Sequence, residues 1–504
     1  MQIRSAVRAT VVVLLAPLFL TATPVPSVLA TQNQASTMAS KIDRYLQTTL
    51  RDTAIPGAAV ALTRGDQVLM VRGYGHDSTG RAVTSDSLFR IASLSKSFTA
   101  LAVLQLVDAG KLQLDDPRAG QITVRELLDH TSGLTDAMVP ELRRHQPSTP
   151  SQATTSLRSA HLASTPGTSW SYHNPNYQVA ARLIEVLSGE PFGDYLRRHV
   201  LEPAGMTAST ATVTDDQPVD GLTEGHVVAY GHAFTTSGPG TFTVGDGGIV
   251  SSAADMARWL IVNTNGGRAT DGTELLSPDS MRLLHTPSAA KTGYALGWAT
   301  RGPRRAPTRL DHSGSLFTYT AEEAIWPGSG YGVALLFNAG SPMLLDQTAI
   351  AHGVFDIIEG KTPPSGGAHT ATRLDTVLAA LTLVSLVLGT LGVARAGRWV
   401  RRRGTPWRTL LGLLAPVLVL AAAGCFPRLA EAWLGRDVTW WAAAYTWPAL
   451  VVFVLAALLA AAATLLARAW QWRRRQQTAT HPDQPTDQPA DRVSTSPTVS
   501  NPAI

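Results

Sequence analysis

The sequence predicts an α/β unit with an all-α part beside it, followed by a membrane domain of three transmembrane helices. Three observations carry this. Strand-like runs stand at both ends of the first 370 residues with helical sequence between them, three charge-free apolar stretches follow Thr372, and arginine is concentrated at the ends of those stretches. A sheet assembled from both ends of a domain around a helical insert leaves a cleft between the two parts.

Residues 1–30 carry Arg4 and Arg8, then the apolar run VVVLLAPLFL, then Val28, Leu29 and Ala30. This is the pattern of a secretory signal peptide cleaved near Ala30. Over 36–51, Met38, Ile42, Leu46 and Leu50 recur four apart, the stripe of an amphipathic helix. GAAVALT and QVLMVRGYG, separated by Arg64, Gly65 and Asp66, form a hairpin signal. Later strand-like runs are YALGWAT at 294–300, TAEEAIWP at 320–327 and YGVALLFN at 331–338. Between the two groups lie helical segments such as SLSKSFTALAVLQLVDAG, NYQVAARLIEVLSG and AADMARWLIVN.

The apolar stretches 376–394, 409–426 and 449–467 are each long enough to cross a hydrocarbon core about 30 Å thick. One arginine patch (Arg395, Arg398, Arg401, Arg402, Arg403, Arg408) lies between the first and second, and another (Arg468, Arg473, Arg474, Arg475) follows the third. Both patches are expected to face the cytoplasm, which places the 428–439 connection and everything before 376 outside. The expected organisation is a signal peptide over 1–30, an extracellular domain over 31–370, a membrane domain over 374–475 and a disordered cytoplasmic tail over 476–504. Pro416 lies inside the second stretch and is a candidate kink. Because the stretches contain no Asp, Glu, Lys, Arg or His, an ion or proton path through them is not expected.

Setting the ten patch arginines aside, 32 of the 42 Lys and Arg residues stand against 37 Asp and Glu. The rest of the chain is mildly acidic, which disfavours nucleic-acid binding. Cys425 is the sole cysteine, so neither an intrachain disulfide nor a thiolate metal cluster is available. His226 and His232 are too sparse for a metal site, and no cofactor is implied.

Three short motifs carry chemistry. In LFRIASLSKSFTALAVLQLVDAG, Ser93 and Lys96 stand three apart at the start of an apolar helix, so hydroxyl and amine share a face. Burial and the positive end of a helix favour a neutral amine, and the same dipole with the Ser93 amide favours an oxyanion. In WSYHNPNYQVAARLIE, Tyr172 is placed to exchange a proton with the serine, and Asn174 to hold a substrate amide and the lysine. In RLDHSGSLFTYT, His312, Gly314 and Ser315 open the strand-rich end; Gly314 would let an acyl group approach, and the Ser315 amide would be a second oxyanion donor.

In this order the motifs resemble those of the serine β-lactamase and penicillin-binding protein superfamily: Ser-x-x-Lys, then Tyr-x-Asn, then His-x-Gly. The nearer resemblance is to the class C β-lactamase and DD-peptidase branch. LLDHTSGL at 127–134, EPAGM at 202–206, GGIVSSAADMARW at 247–259 and LLSPDSMRLLHTP at 275–287 support it, and it covers about 38–360. The resemblance implies a β-lactamase/transpeptidase-like fold, an antiparallel sheet flanked by helices plus an all-α subdomain. It implies Ser93 as acylated nucleophile, Lys96 and Tyr172 as proton-transfer groups, Asn174 as a substrate-orienting group, and Gly314 and Ser315 at the oxyanion side. His312 would stand where the family's third-motif cation stands, with a charge adjustable near its ordinary value of about 6.5.

His173 departs from the serine common at its place, and SLFTYT from the glycine-rich sequence that often follows the third motif. A Lys-Thr-Gly at 291–293 precedes the YALGW run and reads as coincidence, and His130 reads as structural. The expected function is a membrane-anchored extracytoplasmic serine hydrolase acting through an acyl-enzyme on an ester, a D-amino-acid peptide or a β-lactam. The alternative is an acylatable or merely occupied sensing module that reports through its membrane helices. The expected partners are a small-molecule or cell-wall peptide substrate and the lipid bilayer, with no sequence motif naming a protein partner.

Overall fold

The computed structural model describes residues 26–115, 122–288, 293–340, 345–364, 369–401 and 406–480. The predicted hairpin is strands β1 (Gly57–Arg64) and β2 (Gln67–Gly75), and the late runs form β3 (Ala299–Arg301), β4 (Arg309–Ser315), β5 (Thr320–Trp326) and β6 (Tyr331–Phe337). They join in one antiparallel sheet of order β2-β1-β6-β5-β4-β3, so the two ends of the domain meet at the β1–β6 ladder. YALGWAT is a strand only in its last two residues, and RLDHSGS is a strand in its own right.

Both faces of the sheet are covered, which explains why β1 is apolar without alternation. Val60, Leu62, Val333 and Leu335 pack under helices α1 (Pro26–Arg51) and α5 (Leu345–Ile358), where Ile42, Leu46, Ile350 and Val354 are buried. Ala59, Ala61, Ala334 and Leu336 face the other way, toward α2 (Ser95–Asp108) and α4 (Ala253–Thr264). The small alanines leave room for the Trp259 indole, which stacks on Phe98 at 3.6 Å. A third helix on that side, α3 (Pro175–Ser188), packs on α2 and begins directly after Asn174.

The catalytically interesting end of α2 is a tight turn. Ala92–Leu94 is a 3-10 helix leading into α2, and Ala92 takes a φ of +50°, a region costly for a residue with a Cβ. β4 presses against this turn at Gly314, where a Cβ would lie 2.5 Å from the Ile91 carbonyl oxygen and 3.1 Å from the Ala92 Cβ. The close neighbour that Gly314 admits within the protein is thus the turn bearing Ser93.

Beyond the sheet, α6 (Thr370–Ala394) and α9 (Pro448–Thr480) pack side by side, with Gly389 and Gly392 set against Ala460 and Thr464. Small residues allow this close approach. Thr370–Ala394 and Pro448–Gln477 are long and apolar enough to cross a membrane. The stretch expected to be the second span is instead a bent pair, α7 (Pro406–Gly424) and α8 (Phe426–Leu434), with Leu410–Gly424 and Phe426–Leu434 meeting at 58°, the geometry of a broken span or a re-entrant loop. The break falls at Cys425, the residue between the two helices, while Pro416 sits inside α7. The tail expected to be disordered from 476 remains helical to Thr480, because α9 continues without a break. Residues 1–25, Lys291, Thr292 and 481–504 lie outside the described residues.

Gly314→Ala is expected to destabilise the protein by about 1–3 kcal/mol, the usual cost of overpacking a tight contact. Thermal melting of the detergent-solubilised protein measures it. An unchanged melting temperature would show that strand and turn part freely at this point.

Candidate active site

Ser93, Tyr172, Asn174, His312 and Ser315 line one cleft of about 620 Å³. Lys96 is fully buried beneath it, and Gly314, between the lining residues Ser313 and Ser315, is set against the turn that bears Ser93. The structure therefore brings together all seven residues singled out from sequence.

The Lys96 Nζ donates to Ser93 Oγ at 3.1 Å, to Asn174 Oδ1 at 2.8 Å and to the Asp246 carbonyl oxygen at 2.8 Å. Three acceptors match the three hydrogens of an ammonium group. The ammonium also lies 4.9 Å from the centre of the Tyr172 ring and 5.6 Å from that of Tyr177. From the opposite side the Tyr172 hydroxyl donates to Ser93 Oγ at 2.9 Å. The serine oxygen thus sits between two groups able to exchange its proton, at the end of α2 and half open to the cleft.

Asn174 is tied on both sides. Its Oδ1 holds Lys96, while its Nδ2 and backbone N–H donate to Glu141 at 2.8 and 3.0 Å. One Nδ2 hydrogen is left for a substrate amide. His173 is turned away from the cleft and is fully buried, with Nδ1 donating to Asp136 at 2.8 Å and approaching Glu141 at 3.3 Å. Burial alone would lower its proton affinity, but the bonds to Asp136 and Glu141 prevail and hold it above the usual histidine value. Burial opposes ionisation of Glu141 as well, yet the His173 bond and the Arg436 charge hold its carboxyl well below the usual range.

His312 departs from the expectation of an adjustable cation. Its Nδ1 donates to the Ser313 carbonyl at 2.8 Å and its Nε2 pairs with the Tyr294 hydroxyl at 2.9 Å. Burial and then the Lys96 charge push its pKa down to about 4. It is neutral at physiological pH. Nδ1–H donation leaves Nε2 to accept from Tyr294, whose own ionisation is strongly opposed by burial.

His130 lies under Tyr172 at 4.4 Å between ring centres, and its Nδ1 accepts from the His173 backbone at 3.2 Å. Burial and then Lys96 keep it well below its usual value, so it acts as a neutral packing and accepting group. Asp136, Glu141 and His173 bring ligand atoms within 4.8 Å of one another. The acceptors there are already met by N–H donors, including Arg436 Nε and the Asp437 amide on Asp136, so the trio is a hydrogen-bond hub.

The sequence reading missed Glu141, Asp136, Tyr294 and Arg436. The first two follow the LLDHTSGL landmark closely enough to have been searched as partners of His173, whereas nothing local to Tyr294 or Arg436 points to the cleft.

The Beta-lactamase family profile matches residues 42–353. Penicillin-binding protein 4 of Amycolatopsis lactamdurans is 31% identical over 321 residues, which is 57% of this chain and 81% of that protein. Protein flp of Staphylococcus aureus (strain N315) is 25% identical over 328 residues, 60% of this chain and 63% of that relative, so the chain spans less than two thirds of it. The octameric penicillin-binding protein homologue from Pyrococcus abyssi superposes with a TM-score of 0.55 at 23% identity, over 68% of this chain and 81% of that structure. At that identity the superposition speaks to the fold. With the motifs, the cleft and the extent of the profile match in agreement, the chain belongs to the Beta-lactamase family of serine hydrolases.

Proposed function

We propose that the protein is a membrane-anchored extracytoplasmic hydrolase whose Ser93 is acylated by an ester, a D-amino-acid peptide or a β-lactam. The observation that carries this is Ser93 Oγ held between Lys96 Nζ and the Tyr172 hydroxyl at the mouth of a cleft. For attack, the Lys96–Tyr172 pair must first have given up one proton to solvent; with Lys96 as the free amine the serine proton passes to its Nζ as Ser93 Oγ adds to the substrate carbonyl, and the Ser93 and Ser315 amides receive the oxyanion. The same pair returns the proton to the leaving group, and water then repeats the sequence on the acyl-enzyme. Asn174 fixes Lys96 and has one amide hydrogen for the substrate.

Two features support anchoring in this orientation. Arg475 Nη1 reaches the Val400 carbonyl and Arg468 lies over the Trp399 ring, so the second arginine patch lies against the segment that carries the first. The 428–439 connection instead touches the hydrolase domain, with Arg436 on Asp136. A chain that leaves this domain through α6 and returns to it before α9 fits two crossings, α6 out and α7 back, with α8 on the domain side, where Glu431 pairs with Arg143. The signal segment and the arginine bias then set the domain outside. That direct contact also favours a second reading, in which slow deacylation makes the same site a sensor of acylating ligands.

Ser93→Ala is expected to abolish hydrolysis of an activated ester with little change in melting, and Lys96→Ala and Tyr172→Phe to lower kcat by roughly 10² to 10⁴. Turnover retained by Ser93→Ala sinks the nucleophile assignment. For topology, a reporter fused after Ile504 is expected to work only if it functions in the cytoplasm; activity of an export-dependent reporter there contradicts three crossings.

Substrate charge gives a pH test. With His312 depressed to about 4, its cation appears only as pH falls toward that value, and it is neutral above. The kcat/KM ratio of a carboxylate-bearing substrate to its neutral ester is therefore expected to stay flat from about pH 5.5 to 8, and His312→Lys to raise it at every pH in that range. A ratio that falls with a midpoint near 6.5, the unperturbed value, would show that His312 is protonated there after all.

A further inference from the structure

The membrane region does more than hold the hydrolase domain in place. Gly435, at a φ of +65°, ends α8 as a left-handed cap and turns the chain back toward the cleft. The next two residues enter the domain. Arg436 Nε donates to Asp136 Oδ2 at 2.7 Å and the Asp437 amide donates to the same oxygen at 3.1 Å. Asp437 Oδ2 in return accepts the backbone N–H groups of Leu142 and Arg143 at 2.7 and 3.0 Å, and Arg143 pairs with both Asp437 and Glu431. Asp437 and Asp136 are both buried. This is a reciprocal clasp between two charged segments more than 290 residues apart in sequence.

The clasp leads directly to the reacting groups. Half-buried Arg436 lines the cleft and places its guanidinium 5.4 Å from the centre of the Tyr172 ring, a cation–π distance. Its Nη2 lies 3.9 Å from Glu141, which holds Asn174, which holds Lys96. Asp136, the acceptor of Arg436, is also the acceptor of His173, the residue between Tyr172 and Asn174. Both arms that reach Ser93 thus start from one hub that the 428–439 connection completes. His312 is neutral, and Arg436 adds a guanidinium from the membrane region to a cleft that Arg144 and Arg301 of the hydrolase domain also line.

We infer that the connection between the second and third apolar stretches is part of the active site, and that Arg436 is a positioning residue for Tyr172 and for the Asn174–Lys96 arm. Acyl transfer then depends on the docked membrane domain. This rests on the serine hydrolase reading above.

The test uses the full chain in detergent, with single-turnover acylation by an activated ester separating the acylation rate constant from the binding constant, and thermal melting alongside. Arg436→Gln is expected to lower the acylation rate constant by on the order of tenfold to a hundredfold, the scale of misplaced reacting groups, with binding nearly unchanged. Asp437→Asn loosens the clasp without touching Tyr172 and is expected to shift the same constant in the same direction, which keeps the test decisive if Arg436→Gln folds poorly. Acylation of either folded variant at the unmodified rate, or a loss confined to binding, overturns the inference. If the unmodified protein takes no acyl group at Ser93, the serine hydrolase reading itself fails, a different outcome.

Discussion

A fully buried ammonium group needs three acceptors, and the architecture around Lys96 follows from supplying them. Ser93 comes from the turn before α2, Asn174 from the start of α3, and the Asp246 carbonyl from the loop before the strand that leads to α4. These are separate stretches of chain, and each must be held to a fraction of an ångström for the amine to be satisfied. The strained Ala92, the missing side chain at Gly314 and the Glu141 grip on Asn174 are all parts of that holding. A charge buried without such partners costs several kcal/mol, so the site and the local stability of the domain are coupled.

The polar layer behind the site works by the same rule. The bonds to Asp136 and Glu141 raise the proton affinity of His173 against its burial, and the His173 bond and the Arg436 charge hold the Glu141 carboxyl low. Each group is tolerated in the interior because the others are there. On the opposite wall the balance goes the other way: His312 and His130 face Lys96 without a carboxylate partner, and both are driven neutral. Lys96 and Arg436 thus bring positive charge to Ser93 and Tyr172, while the imidazoles of His312 and His130 beside them stay neutral.

Local spacing made the nucleophile end legible. Ser-x-x-Lys at a helix start and Tyr-x-Asn before a proline-led helix are short-range patterns, and helix geometry turns them into neighbours without help from elsewhere. The strands at 57–75 and 320–338 were legible because apolar runs bounded by turns survive burial on both faces. Their register across the β1–β6 ladder was not, since it depends on contacts between opposite ends of the domain. The charge on His312 was misread because type alone suggests a switch, whereas burial and a nearby ammonium decide it. The α7–α8 break at Cys425 lies between Gly424 and Pro427, a helix-stop and helix-start signal that a reading of apolar length alone passes over. Arg436 was hidden for the simplest reason: its partners are about 300 residues earlier, and nothing in its own surroundings distinguishes it from a loop arginine at a membrane face.

The central claim is that Ser93, poised by Lys96 and Tyr172, is the atom that carries the acyl group. Trypsin cuts after Arg90 and after Lys96, so a stable acyl adduct would travel on the peptide Ile91–Lys96, which contains Ser93 and Ser95. Fragmentation mass spectrometry of that peptide, after brief exposure of the full chain to a penicillin or an activated ester and an acid quench, places the adduct on one oxygen. An adduct on Ser93 is the predicted result. An adduct on Ser95, whose side chain instead accepts the Ile249 amide in the core, or on a serine outside this peptide, would contradict the account.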